Sequence, residues 1–311
     1  VIQNLLVLRF ANLVFEPIWN RNYVDYVSII WKEDVGVGSR AGYFDQYGIA
    51  RDVLQNHLFQ ILALVAMEPP VRLEPQFVIE EKVKALRSIL PIKLQDIVLG
   101  QYQGRSTADA YFPAYREEMG VPKDSVSPTF AAAVLNIRNR RWDGVPFFIS
   151  AGKALDARTT EIHVRFKPVP GGLFCPEQGC LAPNELVIRV QPNEAILLDI
   201  VTMEPGLSVK LAPAQLDLRY EQAFNRLIPD AYERLLLDVI AGDKTLFISS
   251  DELSASWDIL DPVLKASDAN EILLEPYQFG SKGPARVEEL LKRFGINFEN
   301  SILPRLQPGQ K

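Results

Sequence analysis

The hydrophobic positions of this chain follow two periods, one after the other. Before about residue 129 they recur mostly three and four apart, the spacing of one helix face; after it they alternate, the spacing of a half-buried strand. In the first part, residues 3–15 read as a helix ending before the loop FEPIWNRN. Tyr23 to Trp31 reads as a strand, and glycines at 36, 38, 42 and 48 predict a mobile connection. Residues 48–67 carry Leu54, Leu58, Ile61, Leu62 and Val65 at helical spacing, and Pro69-Pro70 ends that helix. A second amphipathic helix covers Ile79 to Leu90 and stops at Pro91.

In the second part, Ala131 to Ile137, Val145 to Ser150, Thr160 to Lys167, Leu186 to Val190, Ala195 to Val201 and Val209 to Tyr220 read as strands. Their connections are short, which predicts antiparallel pairing, since parallel pairs need long crossovers. Helices return at 229–241, 249–267 and 284–294; Ser249 and Ser250 precede two acids as an N-terminal cap, and Pro262 is predicted to kink or split its helix. The sum is an α+β fold: a large, mostly antiparallel sheet with helices packed on one side.

Composition narrows the function classes. The net charge of −6 leaves no basic excess for nucleic acid, and no apolar run approaches the ~20 residues of a membrane span. Cys175 and Cys180 read as free thiols or one bridge, and with two histidines they cannot form a Cys- or His-rich metal site. The opening VIQNLLVLRF has no initiator Met and no targeting segment, and its crowded leucines read as the interior of a buried helix. The chain is therefore expected to lack its beginning, or to have that end covered by another polypeptide.

Few residues can do chemistry. His57 titrates near neutral pH and is a candidate base or a hydrogen-bonded structural histidine. Asp52, five residues earlier, falls roughly 140° away round a regular helix, so the two should flank a site without touching. The plainer reading of Asp52 is a solvated helix-start acid. Lys153 and Arg158, in GKALDAR after a strand, suit an anion or a solvated basic turn. Gln191 and Arg189 flank Val190 on its strand and face the opposite side of the sheet from it. The glycine-rich GVGSRAG at 36–42 does not have the register of a dinucleotide-phosphate loop and reads as a flexible loop.

The segment GIARDVLQNHLFQILALVAMEPP is very similar to the catalytic-histidine helix of glucose-6-phosphate dehydrogenases. QNLLVLRFANLVFEPIWNRNYV, EKVKALRSI, VLGQY, RWDGVPFFISAGKAL, NELVIRVQPNEA, PDAYERLLLDVIAGD and SSDELSASW agree in the same order, from residue 3 to about 298. LVFEP, AMEPP and VPGGLF resemble plastid or cyanobacterial members. The resemblance implies residues 1–298 as the C-terminal substrate and dimerisation domain, followed by an extended tail, 299–311. It implies oxidation of glucose 6-phosphate with NADP as cofactor, a homodimer or tetramer built through the sheet, and a plastid location, with cytoplasm second. It assigns His57 as the base, Glu33 and Asp52 as carboxylates for the sugar hydroxyls, and Lys153, Arg158 and Gln191 as substrate-side residues.

Two departures accompany it. The family's substrate-phosphate signature RIDHYLGKE would stand before Val1, and the Rossmann coenzyme domain is expected to be absent, or supplied by a separate chain. The chain alone is then expected to bind glucose 6-phosphate weakly and turn over nothing. The positions of the second NADP of animal members read Ser150, Thr159, His163, Lys282 and Phe298, with Lys32 and Arg189 retained, which argues against that site here. A non-catalytic scaffold or accessory subunit is the alternative reading, and a free-standing sugar-phosphate sensor a third.

Overall fold

The computed structural model describes residues 2–171, 174, 182–207, 209–224, 231–242, 244–245 and 247–298. Cys175, Cys180 and the tail 299–311 lie outside the described residues. The chain begins with α1 (Ile2–Phe10) and β1 (Val24–Lys32), then α2 (Ala41–Ile49), a wide helical segment (Ala50–Leu58), α3 (Phe59–Ala66) and α4 (Pro75–Arg87). There follow β2 (Ile97–Gln103), a short hairpin of β3 (Arg105–Ser106) and β4 (Tyr111–Phe112), β5 (Phe130–Asn136), β6 (Pro146–Gly152) and β7 (Thr159–Phe166). After β8 (Glu185–Gln191), β9 (Ala195–Met203) and β10 (Leu211–Arg219) come α5 (Tyr220–Phe224), α6 (Ala231–Ala241), α7 (Ser250–Asp268), β11 (Leu274–Gln278) and α8 (Arg286–Arg293).

Nine strands make one sheet in the order β10-β9-β8-β7-β1-β6-β5-β2-β11. Most neighbours are antiparallel, as the short connections predict, but β1 runs parallel to β6 and β2 parallel to β11. The β1–β6 pair needs a long crossover, and α2 to α4 lie within it. β1 is flanked on both sides and holds Val24, Val27 and Ile29 fully buried.

Helix α3 is apolar except at half-buried Gln60, and every other residue in it is buried, so its last carbonyls cannot reach water. Side chains from three other segments satisfy them. Arg9 donates to Leu64 O and Met67 O at 2.9 Å each, Trp19 Nε1 to Val65 O at 2.9 Å, and Trp142 Nε1 to Ala66 O at 2.8 Å. Burial pulls the Arg9 pKa down to about 10 despite its ion pair with Glu16.

Several expectations need correction. The first helix ends at Phe10; Asn12 Nδ2 donates back to Val7 O and Leu8 O, and Pro17 opens a separate turn, Glu16–Ile18. The glycine-rich connection is largely helical, since Gly42 lies within α2. Pro262 does not split its helix: α7 runs through it, held by buried Ile259, Leu260, Val263 and Leu264 on both sides. Strands β2 and β11 went unread. β2 is buried on both faces to its last residue but one and so does not alternate; β11 contains Pro276 at the sheet edge.

Candidate functional site

The site is built where β1 and β6 end side by side. Side chains alternate along a strand, so Trp31 and Glu33 project from the same face as Val27 and Ile29. The ladder is prolonged past β6 by Glu33 N–H donating to Gly152 O at 2.9 Å and Leu155 N–H to Glu33 O at 2.8 Å. This sets Lys153 beside Glu33. Lys153 is buried, its ammonium donates to Glu33 Oε2, and it lies 5.3 Å from the centre of the Phe44 ring. Tyr277 Oη donates to Lys153 O at 2.8 Å, which anchors the backbone of that turn. The other Glu33 oxygen, Oε1, accepts from Trp31 Nε1 at 3.2 Å.

His57 arrives from the helix side and stacks on Trp31, with ring centres 5.3 Å apart and planes within 20°. Its helix is not regular. Gly48, at φ 63°, breaks the line of α2, and a side chain there would meet Pro128 at 3.0 Å. The chain re-enters as a wide (π) turn, marked by Phe59 N–H bonding to Leu54 O five residues back. In such a turn residue i+5 lies above residue i, so Asp52 and His57 share a side and the flanking geometry is corrected. Burial lowers the His57 pKa below its ordinary value, while the charges of Asp52 and Glu33 oppose that shift without cancelling it. The ring remains open to solvent and is largely neutral at pH 7, able to accept a proton.

Gln191 belongs to the same row of the sheet. Ala151, Trp31, Thr160 and Gln191 are register partners across β6, β1, β7 and β8, which puts Gln191 two strands, roughly 10 Å, from Trp31. Gln191 Nε2 donates to Thr160 Oγ1 at 3.0 Å. Arg158 lies exposed in the turn before β7, outside the contacts that join the other site residues. Sequence reasoning missed Trp31, Phe44 and Tyr277. For Trp31 the signal was present: it stands two residues before Glu33 on a strand, hence on the same face.

A second charged cluster occupies the opposite face, and it includes Arg189: a bulge between Thr160 and Glu161 puts Arg189 and Gln191 on opposite sides of the sheet, against the shared side that strand alternation predicts. His163 lies 3.3 Å from Glu161 and 3.0 Å from Glu185; Arg165 reaches Glu185 at 3.0 Å and Arg189 reaches Glu161 at 2.8 Å. Burial by itself works against the Glu161 carboxylate, but His163 and Arg189 outweigh it and hold its pKa well below the usual range. Phe298 packs edge-on against Tyr26 and Phe148 on this face.

GVGSRAG does follow a strand and open a helix, yet a dinucleotide phosphate does not fit it. The Glu118 carboxylate occupies the space beside Gly36, and Tyr102 Oη already accepts the Val37 N–H at 3.1 Å.

Known proteins resemble this chain in sequence and fold. A profile described as "Glucose-6-phosphate dehydrogenase, C-terminal domain" matches residues 6–299. The glucose-6-phosphate 1-dehydrogenase of Dictyostelium discoideum is 51% identical over 95% of this chain and 59% of its own length. A chloroplastic one of Arabidopsis thaliana is 50% identical over 96% and 52%, and a cytoplasmic one of the same plant 48% identical over 95% and 55%. The chain thus spans about half the length of the curated relatives it matches. Among solved structures, a glucose-6-phosphate dehydrogenase in complex with its substrate glucose-6-phosphate superposes with TM-score 0.89, at 41% identity over 96% of this chain and 60% of that one. Matched from residue 6 to 299 and built on the same α+β frame, the chain belongs to the family of glucose-6-phosphate dehydrogenase C-terminal domains.

Proposed function

We propose that residues 1–298 are the substrate-binding and oligomerisation part of an NADP-dependent glucose-6-phosphate dehydrogenase, which oxidises glucose 6-phosphate to 6-phosphogluconolactone. One observation carries the reading: an exposed imidazole, His57, its pKa lowered by burial, stands with Asp52 and with the Trp31–Glu33–Lys153 chain at the end of the central strands. His57 takes the proton of the anomeric hydroxyl as that O–H bond breaks. Asp52 and the Glu33 carboxylate accept from sugar hydroxyls, and Lys153 holds Glu33 in place. Gln191 and Arg158 border the sugar. The coenzyme that accepts the hydride is not held by GVGSRAG. At the positions matching the second animal NADP, His163 and Arg189 are committed to carboxylates, which supports a single coenzyme. Chloroplastic and cytoplasmic relatives match alike, so a plastid and the cytoplasm both stand.

His57→Asn in the intact enzyme tests the reading. Loss of a positioned general base lowers kcat by about 10²–10⁴-fold, with glucose 6-phosphate binding, followed by calorimetry, kept within a few-fold. Unchanged NADPH production would remove His57 from the reaction.

A further inference from the structure

We propose that Trp31 is a positioning residue for this site: its indole fixes the plane of the His57 imidazole and stabilises the protonated ring, while its N–H fixes Glu33. The geometry is specific. The His57 ring lies nearly parallel to the indole, 5.3 Å between centres, and the same indole donates Nε1–H to Glu33 Oε1 at 3.2 Å. The second Glu33 oxygen is taken by Lys153, whose backbone is pinned by Tyr277. One side chain thus ties the base to a substrate-side carboxylate, and neither can turn without disturbing the other.

The chemistry follows from the aromatic face. A neutral imidazole gains packing from the indole. An imidazolium gains more, because the negative π face attracts a cation, with tryptophan the strongest of the aromatic partners. The charged groups acting on His57 are Asp52 on its own helix and Glu33 at the end of β1, with Lys153 offsetting Glu33. The carboxylates favour the imidazolium from the edge and Trp31 favours it from the face. The inference rests on the reading of His57 as the base for its role in turnover, but its test needs neither substrate nor coenzyme.

The chain has two histidines, His57 and His163, so its imidazole NMR signals are readily assigned, and buried His163 serves as a folding control. In Trp31→Leu the His57 titration midpoint should fall by about half a pH unit. In Trp31→Phe, which keeps a weaker π face and loses the N–H, it should fall by less. A midpoint that stays in place or rises in both variants overturns the proposal. If the Leu variant fails to fold, the difference in tryptophan emission between the wild-type protein and Trp31→Phe decides. It should titrate at the His57 midpoint and stop doing so in His57→Gln; a flat difference overturns the proposal. Should the His57→Asn enzyme keep its turnover while the stack still titrates, the base reading fails and this one stands.

Discussion

Asp52 and Glu33 act on His57 with the same sign, and their removal separates their contribution from that of burial. Both carboxylates favour the protonated ring, whereas burial, the larger influence, favours the neutral one. The net shift is downward, so the ring stays neutral further to the acid side than an ordinary histidine does. Asp52→Asn removes one favourable charge and should move the His57 midpoint further down, by about half a pH unit for a partly solvated pair. The direction is what decides, and an NMR titration reads it: an upward move would mean that Asp52 acts on His57 by hydrogen bonding to the neutral ring. The residue types of this site were legible in the sequence, because His57, Asp52, Glu33 and Lys153 all stand in distinctive segments. The approach of Asp52 to His57 was not. It depends on a turn closed between residues five apart, and a regular 3.6-residue period puts the pair on different sides.

At the scale of the element, α3 sets the position of everything the wide helix presents. Apart from half-buried Gln60 it has no polar face to orient it, and its register is set by donors at its C-terminal end: Arg9, Trp19 and Trp142. Trp142→Phe keeps most of the ring and its edge-on contact with Phe147 but leaves the Ala66 carbonyl buried without that partner. A loss of about 1–3 kcal/mol is expected, read as a lower urea midpoint at unchanged m-value. An unaltered midpoint would show that water reaches the helix end. The helix itself was readable from its period, as were the alternating strands; its caps were not, because the donors come from residues 9, 19 and 142, and no local pattern records such distances. β2 escaped for a related reason. A strand buried on both faces has no polar positions to mark its period.

At the scale of the whole molecule, two elements among the described residues leave apolar side chains exposed. β10 is the terminal strand, with Leu216 and Leu218 exposed, and α6 presents Leu235, Leu236, Leu237, Val239 and Ile240 to solvent in the chain alone. Five exposed apolar residues on an eleven-residue helix far exceed the scattered ones normal for a solvated surface. Among the described residues no strand pairs with the outer edge of β10, a further liability for a free monomer. Self-association, which the family resemblance implies through the sheet, would cover such surfaces. Leu236 and Ile240 stand four apart on α6 and therefore share a face. Replacing both with Asp sets two charges where apolar packing is needed, each costing several kcal/mol if buried unpaired, while neither side chain belongs to the folded core. In sedimentation velocity at micromolar concentration the wild-type chain should run as a multiple of 35.0 kDa. The double variant should run as the monomer with an unchanged circular dichroism spectrum. A wild-type monomer, or a double variant that still associates, would mean that α6 is covered by something other than a second copy of this chain.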